Sequence, residues 1–217
     1  MAARPLAAQL FSVTSRCFSA VDDETGESYF VSPRSGDLIV LSGEERAQCR
    51  VRGALRPLAI DVQAEAAPDP LVGLRVNAID ARAGDADACR RFMSRVAAPM
   101  RLLTRFMPLD VLARGIARFC PSRTDRLSPA AAVAALKSLG EPPRNQCLQT
   151  SFMQAAFLAR HGVPLRLHVG VWIPTTWMHA WVTVPLEGAG PAGEWLVNDS
   201  IDRIAHYQPV LRFDFDR

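Results

Sequence analysis

Between Leu165 and Ile173 every second residue is apolar: Leu165, Leu167, Val169, Val171 and Ile173. A period of two marks a strand with one buried face. Met178, Ala180, Val182 and Val184 repeat the pattern, and Trp195 and Val197 give a third strand ending at Asn198-Asp199. A loop over 187–193 joins the last two. Upstream the period changes. Phe152, Ala155, Ala156 and Ala159 recur at helical spacing, predicting a helix that starts at Asn145 or Gln146. His161-Gly162 closes it and Pro164 prevents its continuation. Phe92, Val96, Met100, Leu103 and Met107 predict helix over 84–120, broken into pieces by Pro99 and Pro108. Ser128-Pro129 opens another helix, which Gly140 and Pro142-Pro143 end. Helices followed by an antiparallel meander define an α+β arrangement.

The first 80 or so residues read differently. Tyr29-Phe30-Val31 and Leu38-Ile39-Val40-Leu41 are short apolar runs. The turn residues from Ser32 to Asp37 separate them, which predicts a hairpin. Ser42, followed three residues on by Glu45, resembles a helix start. The expected division is a small β-rich domain over 1–83 and a larger α+β domain over 84–217.

Composition narrows the function. Just under half of the 217 residues are hydrophobic, and the formal net charge is +3, so a packed core is expected rather than disorder. Arginine supplies nearly all the positive charge; Lys137 is the sole lysine. Arg90, Arg91, Arg95, Arg101 and Arg105 lie among apolar residues at helical spacing. They read as a solvated helix face, or else a docking face for a partner protein, not as the dense basic stripe of a nucleic-acid binder. No run approaches the ~18 apolar residues of a membrane helix, and the N-terminus lacks the apolar core of a secretory signal. The five cysteines, Cys17, Cys49, Cys89, Cys120 and Cys147, show no metal or redox spacing. The expectation is a cytoplasmic protein with no metal, no membrane and no nucleic-acid partner.

One cysteine has a distinctive setting. Cys147 falls at the start of a helix, where the dipole and free N–H groups stabilise a thiolate. His179 lies on the second strand, facing opposite to Met178 and Ala180, and Asp199 lies at the end of the third. Antiparallel pairing of those strands can bring the carboxylate beside the imidazole. A thiol with an ordinary pKa of ~8.5 needs such help to ionise at neutral pH. Cys147 then acts as nucleophile, His179 as acid and base, and Asp199 as orienter. A lone cysteine is more often a buried, inert thiol; the combination carries the signal. Asp202 competes with Asp199 for the third place. His161 reads as a helix C-terminal residue, His206 as a packing or surface residue, and His168 as a strand residue ahead of the second hairpin arm.

Cys147-Leu148, Ala159-Arg160-His161-Gly162-Val163-Pro164, His168-Val169-Gly170-Val171, His179-Ala180-Trp181-Val182, Asn198-Asp199 and Tyr207 together resemble a known family. It is that of the maturation proteases of lasso-peptide biosynthesis, the B proteins, in the transglutaminase-like superfamily. The resemblance implies a papain- or transglutaminase-like fold, with the family's cysteine, histidine and aspartate on Cys147, His179 and Asp199. It implies a peptidase that removes the leader from a precursor peptide. A partner cyclase, similar to asparagine synthetases, then closes the macrolactam. ATP dependence would belong to the cyclase, because no Gly-rich phosphate motif occurs in this chain. The connection between His179 and Asp199 is longer than the family's, by roughly residues 185–193. Residues 1–83 would grip the leader by strand addition, with Tyr29, Phe30, Val31, Leu38, Ile39 and Val40 as candidate binding residues.

Two other classes share these features. A transglutaminase or amine acyltransferase would use the same triad and resolve the acyl-enzyme with an amine. A non-catalytic adaptor would deliver the precursor elsewhere. The N–H of Cys147 is one candidate oxyanion donor, and Gln146 and Trp177 are candidates for the second.

Overall fold

The computed structural model describes residues 12–46, 69, 71, 74–75, 82–119, 126–141, 143–173, 175–185, 193–197 and 199–216. Its elements in chain order are β1 (Ser12–Cys17), β2 (Ala20–Val21), β3 (Ser28–Val31), β4 (Leu38–Leu41) and β5 (Leu74–Arg75). Three long helices follow, α1 (Ala83–Phe106), α2 (Leu109–Phe119) and α3 (Pro129–Lys137), then α4 (Cys147–Arg160). The chain ends with β6 (Leu165–Trp172), β7 (Trp177–Pro185), β8 (Glu194–Leu196), the one-turn α5 (Ile201–Ile204) and β9 (Gln208–Asp216). The fold is α+β, with helices packed on a mainly antiparallel sheet.

Six strands form the main sheet in the order β1-β9-β6-β7-β8-β5, and β2-β3-β4 form a second sheet. The β6–β7 hairpin pairs Gly170 with His179 and Val169 with Ala180. The alternation read from the sequence sets the two faces. Leu165, Leu167, Val169, Val171, Ala180, Val182 and Val184 are buried in the main core with α4. Trp181 falls on the opposite face and packs with Leu196 and Ile204. Among the described residues only the β5–β8 pair is parallel.

α4 is the central helix. Ser151 through Ala159 are all buried, because α1, α2 and α3 pack on the sides that the sheet leaves free. A helix buried all round needs apolar and small residues on every face, and Phe152, Ala155, Ala156, Phe157, Leu158 and Ala159 supply them. Phe157 meets Phe92 of α1 at a ring separation of 5.5 Å.

Several sequence signals fall where expected. Ser128 caps α3, its hydroxyl accepting from the Ala131 N–H at 3.2 Å, with Pro129 at the first helical position. Gly162 follows α4 with φ of 70°, a left-handed turn suited to glycine. Pro99 is a correction: α1 runs through it unbroken. An interior proline costs a helix about 3 kcal/mol, which burial of Met100 and packing against α4 offset here. The Gln149 amide also reaches the Ala97 carbonyl at 3.1 Å, tying α1 to α4 beside that proline. Pro108 does separate two helices, α1 and α2.

The predicted hairpin is β3–β4, and its turn has a structural task. The carbonyls of Pro33 and Arg34 accept from the N–H groups of Asp110 and Leu109, at 2.9 and 3.2 Å, satisfying the start of α2. Tyr29, Phe30 and Val31 are buried, whereas Val40 is exposed. Among the described residues β4 pairs only with β3, so strand addition here would use the β4 edge and not the β3 side chains. The first 83 residues contribute to both sheets, through β1 and β5 in one and β2–β4 in the other. Cys49 and Cys120 and most of the 47–81 stretch lie outside the described residues. No described helix is long and apolar enough to cross a membrane.

Candidate active site

Pro142-Pro143 cannot extend a helix, and the chain from Pro143 enters a 3-10 turn, Arg144–Gln146, before α4 begins at Cys147. Gln146 makes no side-chain cap, which leaves the first N–H groups of α4 open to the Cys147 sulfur. His179 is the third residue of β7, opposite Gly170 of β6. Asp199 follows β8, whose pairing with β7 is extended by the Val197 N–H to the Val182 carbonyl at 2.9 Å. Ser200 then caps α5 by accepting from the Arg203 N–H at 3.3 Å. That cap turns the chain and leaves Asp199 facing back towards β7.

These three elements bring Cys147, His179 and Asp199 together. His179 Nε2 meets Asp199 Oδ2 at 2.6 Å, with both side chains 4% exposed. Asp199 Oδ1 accepts from the Ser200 N–H at 2.9 Å and lies 3.5 Å from Arg203 Nη1. Arg203 is held in turn by Glu141 at 2.7 Å. With Nε2 committed to the carboxylate, Nδ1 is the ring nitrogen left for the thiol, which hydrogen-bonds to His179. Burial pushes the Cys147 thiol up, but the His179 bond, the N–H of Ala180, the imidazolium charge and the N–H of Leu148 outweigh it, and the net shift is down. Burial likewise pulls His179 down, but its bonds to Asp199 and Cys147 and their charges raise it to about 9. A thiolate beside an imidazolium is the form these shifts favour.

Asp202 does not meet His179. It stands exposed in the first turn of α5, so the geometry assigns the imidazole contact to Asp199. Aromatic rings pack around the histidine: Tyr207 at 5.1 Å and Trp181 at 6.2 Å. Trp181 also stacks on His168 at 5.2 Å. Gly170 makes room for this stack, since a Cβ there would lie 2.8 Å from the Trp181 ring. His161 accepts from the Leu127 N–H at Nδ1, 3.3 Å away, and His206 stacks on Trp172 at 5.0 Å. Neither reaches the site's thiol.

Two cavities flank the trio. One of about 370 Å³ is lined by Cys147, Gln146, Gln149, Thr104 and Arg105. The other, about 960 Å³, is lined by His179, Trp172, Trp177, Tyr207 and Arg203. Asn145 and Met178 border both. Gln146 thus lies on the thiol side and Trp177 on the imidazole side. Among the described residues no three His, Cys, Asp or Glu side chains gather to hold a metal.

Sequence reasoning missed Arg203 and Glu141. The Ser200 cap signal would have placed Arg203 one helical turn from Asp199. It offered no signal for Glu141, which reaches Arg203 across 62 positions of chain.

A helix-start cysteine set against a strand histidine on an antiparallel sheet defines a class of thiol-centred α+β folds. The chain belongs to the transglutaminase-like superfamily, whose family model matches residues 95–212, more than half of the 217. That superfamily is of the cysteine protease and acyltransferase type. No curated protein and no solved structure matches the chain.

Proposed function

We propose that the protein is a cysteine peptidase that uses Cys147, His179 and Asp199 to remove the leader from a lasso-peptide precursor. The observation that carries the reading is the continuous contact from Asp199 through His179 to the Cys147 sulfur at the start of α4. The superfamily membership supports the chemistry, and the family resemblance described above supplies the substrate.

The Cys147 thiolate attacks the carbonyl carbon of the scissile amide, and the oxyanion forms against the Cys147 N–H. His179 gives its proton to the leaving nitrogen as the C–N bond breaks. A thioester and a free amine result. Water then attacks the thioester, His179 takes its proton, and the acid and the free thiolate are released. Asp199 steadies the imidazolium at each stage. The freed amine is the core peptide's, ready for a cyclase similar to asparagine synthetases, which would be the ATP consumer. The β4 edge of residues 1–83 is the part best suited to hold the leader, by strand addition. Such a pathway would run in the reducing cytoplasm.

The expected test substrate is a short precursor encoded beside an asparagine-synthetase-like frame. Incubation with the purified protein should split that precursor into two fragments whose masses sum to the precursor plus one water. Cys147→Ala should lower the rate by roughly 10³-fold or more while remaining folded. Cleavage retained by that variant rejects the peptidase. An acyl fragment carrying an amine in place of water assigns a transferase instead.

A further inference from the structure

The two cavities beside the trio differ in character, and the chemistry assigns each a side of the substrate. In amide cleavage the imidazole must hand its proton to the leaving nitrogen. The leaving fragment therefore runs from the scissile bond over the wall that carries His179. The acyl fragment, bonded to sulfur, runs over the wall that carries Cys147. The Cys147 wall is small and polar, with Thr104, Arg105, Gln146 and Gln149. The His179 wall is larger and carries the rings of Trp172, Trp177 and Tyr207, with Ser200, Asp202 and Arg203 at its polar end.

Two further observations mark Trp177. It is 60% exposed and its neighbour Met178 is 43% exposed, whereas residues 179–184 of the same strand are buried. Large apolar side chains left in water beside a reactive centre are available to a ligand. The indole also has a defined neighbour and a constrained backbone before it. Trp172 meets it edge to face at 5.9 Å, and the turn before it holds Thr176 at φ of 58°, a left-handed conformation that a β-branched residue resists.

We propose that the aromatic wall formed by Trp172, Trp177 and Tyr207 is the subsite for the amine side of the scissile bond, and that it selects a fragment bearing a bulky apolar or aromatic side chain. Trp177 is the main specificity determinant. This rests on the reading of Cys147 and His179 as an amide-cleaving pair, but its test needs no cleavage.

L-tryptophanamide and glycinamide both present the head of a leaving fragment, a free amine followed by an amide. Their affinities are read by saturation-transfer NMR and by protection of Cys147 from iodoacetamide. Tryptophanamide should bind about tenfold more tightly than glycinamide. Trp177→Ala should erase that preference, and Trp177→Phe should keep most of it. Equal affinities, no binding of either amide, or a preference surviving Trp177→Ala would each overturn the assignment. So would a dimer that Trp177→Ala dissociates, since the indole would then belong to an interface with a second copy. If the preference appears but no precursor is cleaved, the leader-peptidase reading falls and the subsite stands. Cleavage without the preference has the opposite meaning.

Discussion

Two thiols in this chain differ in reactivity because their neighbours differ. Cys89 is fully buried in α1, and burial pushes it up to about 12. Cys147 is also largely buried, but the imidazole and two backbone N–H groups reverse that effect. Iodoacetamide at neutral pH should therefore alkylate Cys147 in the native protein and reach Cys89 only after denaturation. Peptide mass mapping reads this directly, and an unlabelled Cys147 would remove the case for a thiolate. The same coupling sets a pH profile. Cleavage should rise as Cys147 ionises and fall as His179 loses its proton near 9. Asp199 raises the imidazole, so Asp199→Asn should move the alkaline limb to lower pH and reduce kcat/KM on the order of 10²-fold. An alkaline limb that stays in place would mean that Asp199 does not act through the ring. The Cys147, His179 and Asp199 positions were legible because each sits at a boundary or alternation that periodicity exposes. Arg203 was legible only in part: the Ser200 cap sets it one turn from Asp199, but its ion pair with Glu141 is one that only folding creates.

The hairpin that carries His179 is built with strain at its tip and a gap in its middle. Thr176 sits in the left-handed region at the tip, and non-glycine residues held there cost about 1–3 kcal/mol. Thr176→Gly relieves this at some cost in unfolded-chain entropy, so a net gain of about 1 kcal/mol is expected. Thermal melts should show a rise of a few degrees, and a fall would mean that the bond from the Thr176 hydroxyl to the Thr175 carbonyl, 2.7 Å, outweighs the strain. The gap is at Gly170, where an added Cβ would meet the Trp181 ring at 2.8 Å and the Gln208 carbonyl at 3.0 Å. Gly170→Ala should destabilise by about 1–3 kcal/mol and disturb the ring stack that packs against His179. Unchanged melting and activity would show that the neighbours yield freely. Alternation was enough to find β6 and β7, and capping chemistry was enough to find α3. Pro99 misled because local rules describe an isolated helix, while α1 is held by its contact with α4. β9 went unread although Leu211, Phe213 and Phe215 alternate with Arg212, Asp214 and Asp216; its central place, between β1 and β6, is a matter of long-range pairing.

The main sheet has its apolar face on α4, and its other face carries a polar cluster beside the smaller contact of Trp181, Leu196 and Ile204. Arg16, Arg166 and Arg212 surround the buried Asp214, and Glu194 joins Arg166 and Thr183. His168 lies among them. Its Nε2 is 3.0 Å from the Thr183 hydroxyl, and that hydroxyl donates to Glu194, so the ring must be the donor at Nε2. Nδ1 is buried with no partner among the described residues, and Trp181 covers one face. This is a setting for a neutral imidazole. Burial first, then the charges of Arg212 and Arg166, lower its pKa to about 3. The unfolded chain binds this proton at ~6.5, so below that pH the unfolded state holds more protons than the folded one. Stability should therefore fall as the pH drops from ~6.5 towards 3, by up to about 1.4 kcal/mol per unit from this group alone. His179 works in the opposite sense: its raised pKa adds stability that is complete below ~6.5 and is lost as the pH climbs through about 9. The two histidines thus bound the stable range from either side, and urea unfolding across pH separates them. His168→Gln should flatten the acid side and leave the alkaline side alone, and His179→Gln should do the reverse. A wild-type acid slope that persists in His168→Gln would show that His168 does not carry the acid sensitivity.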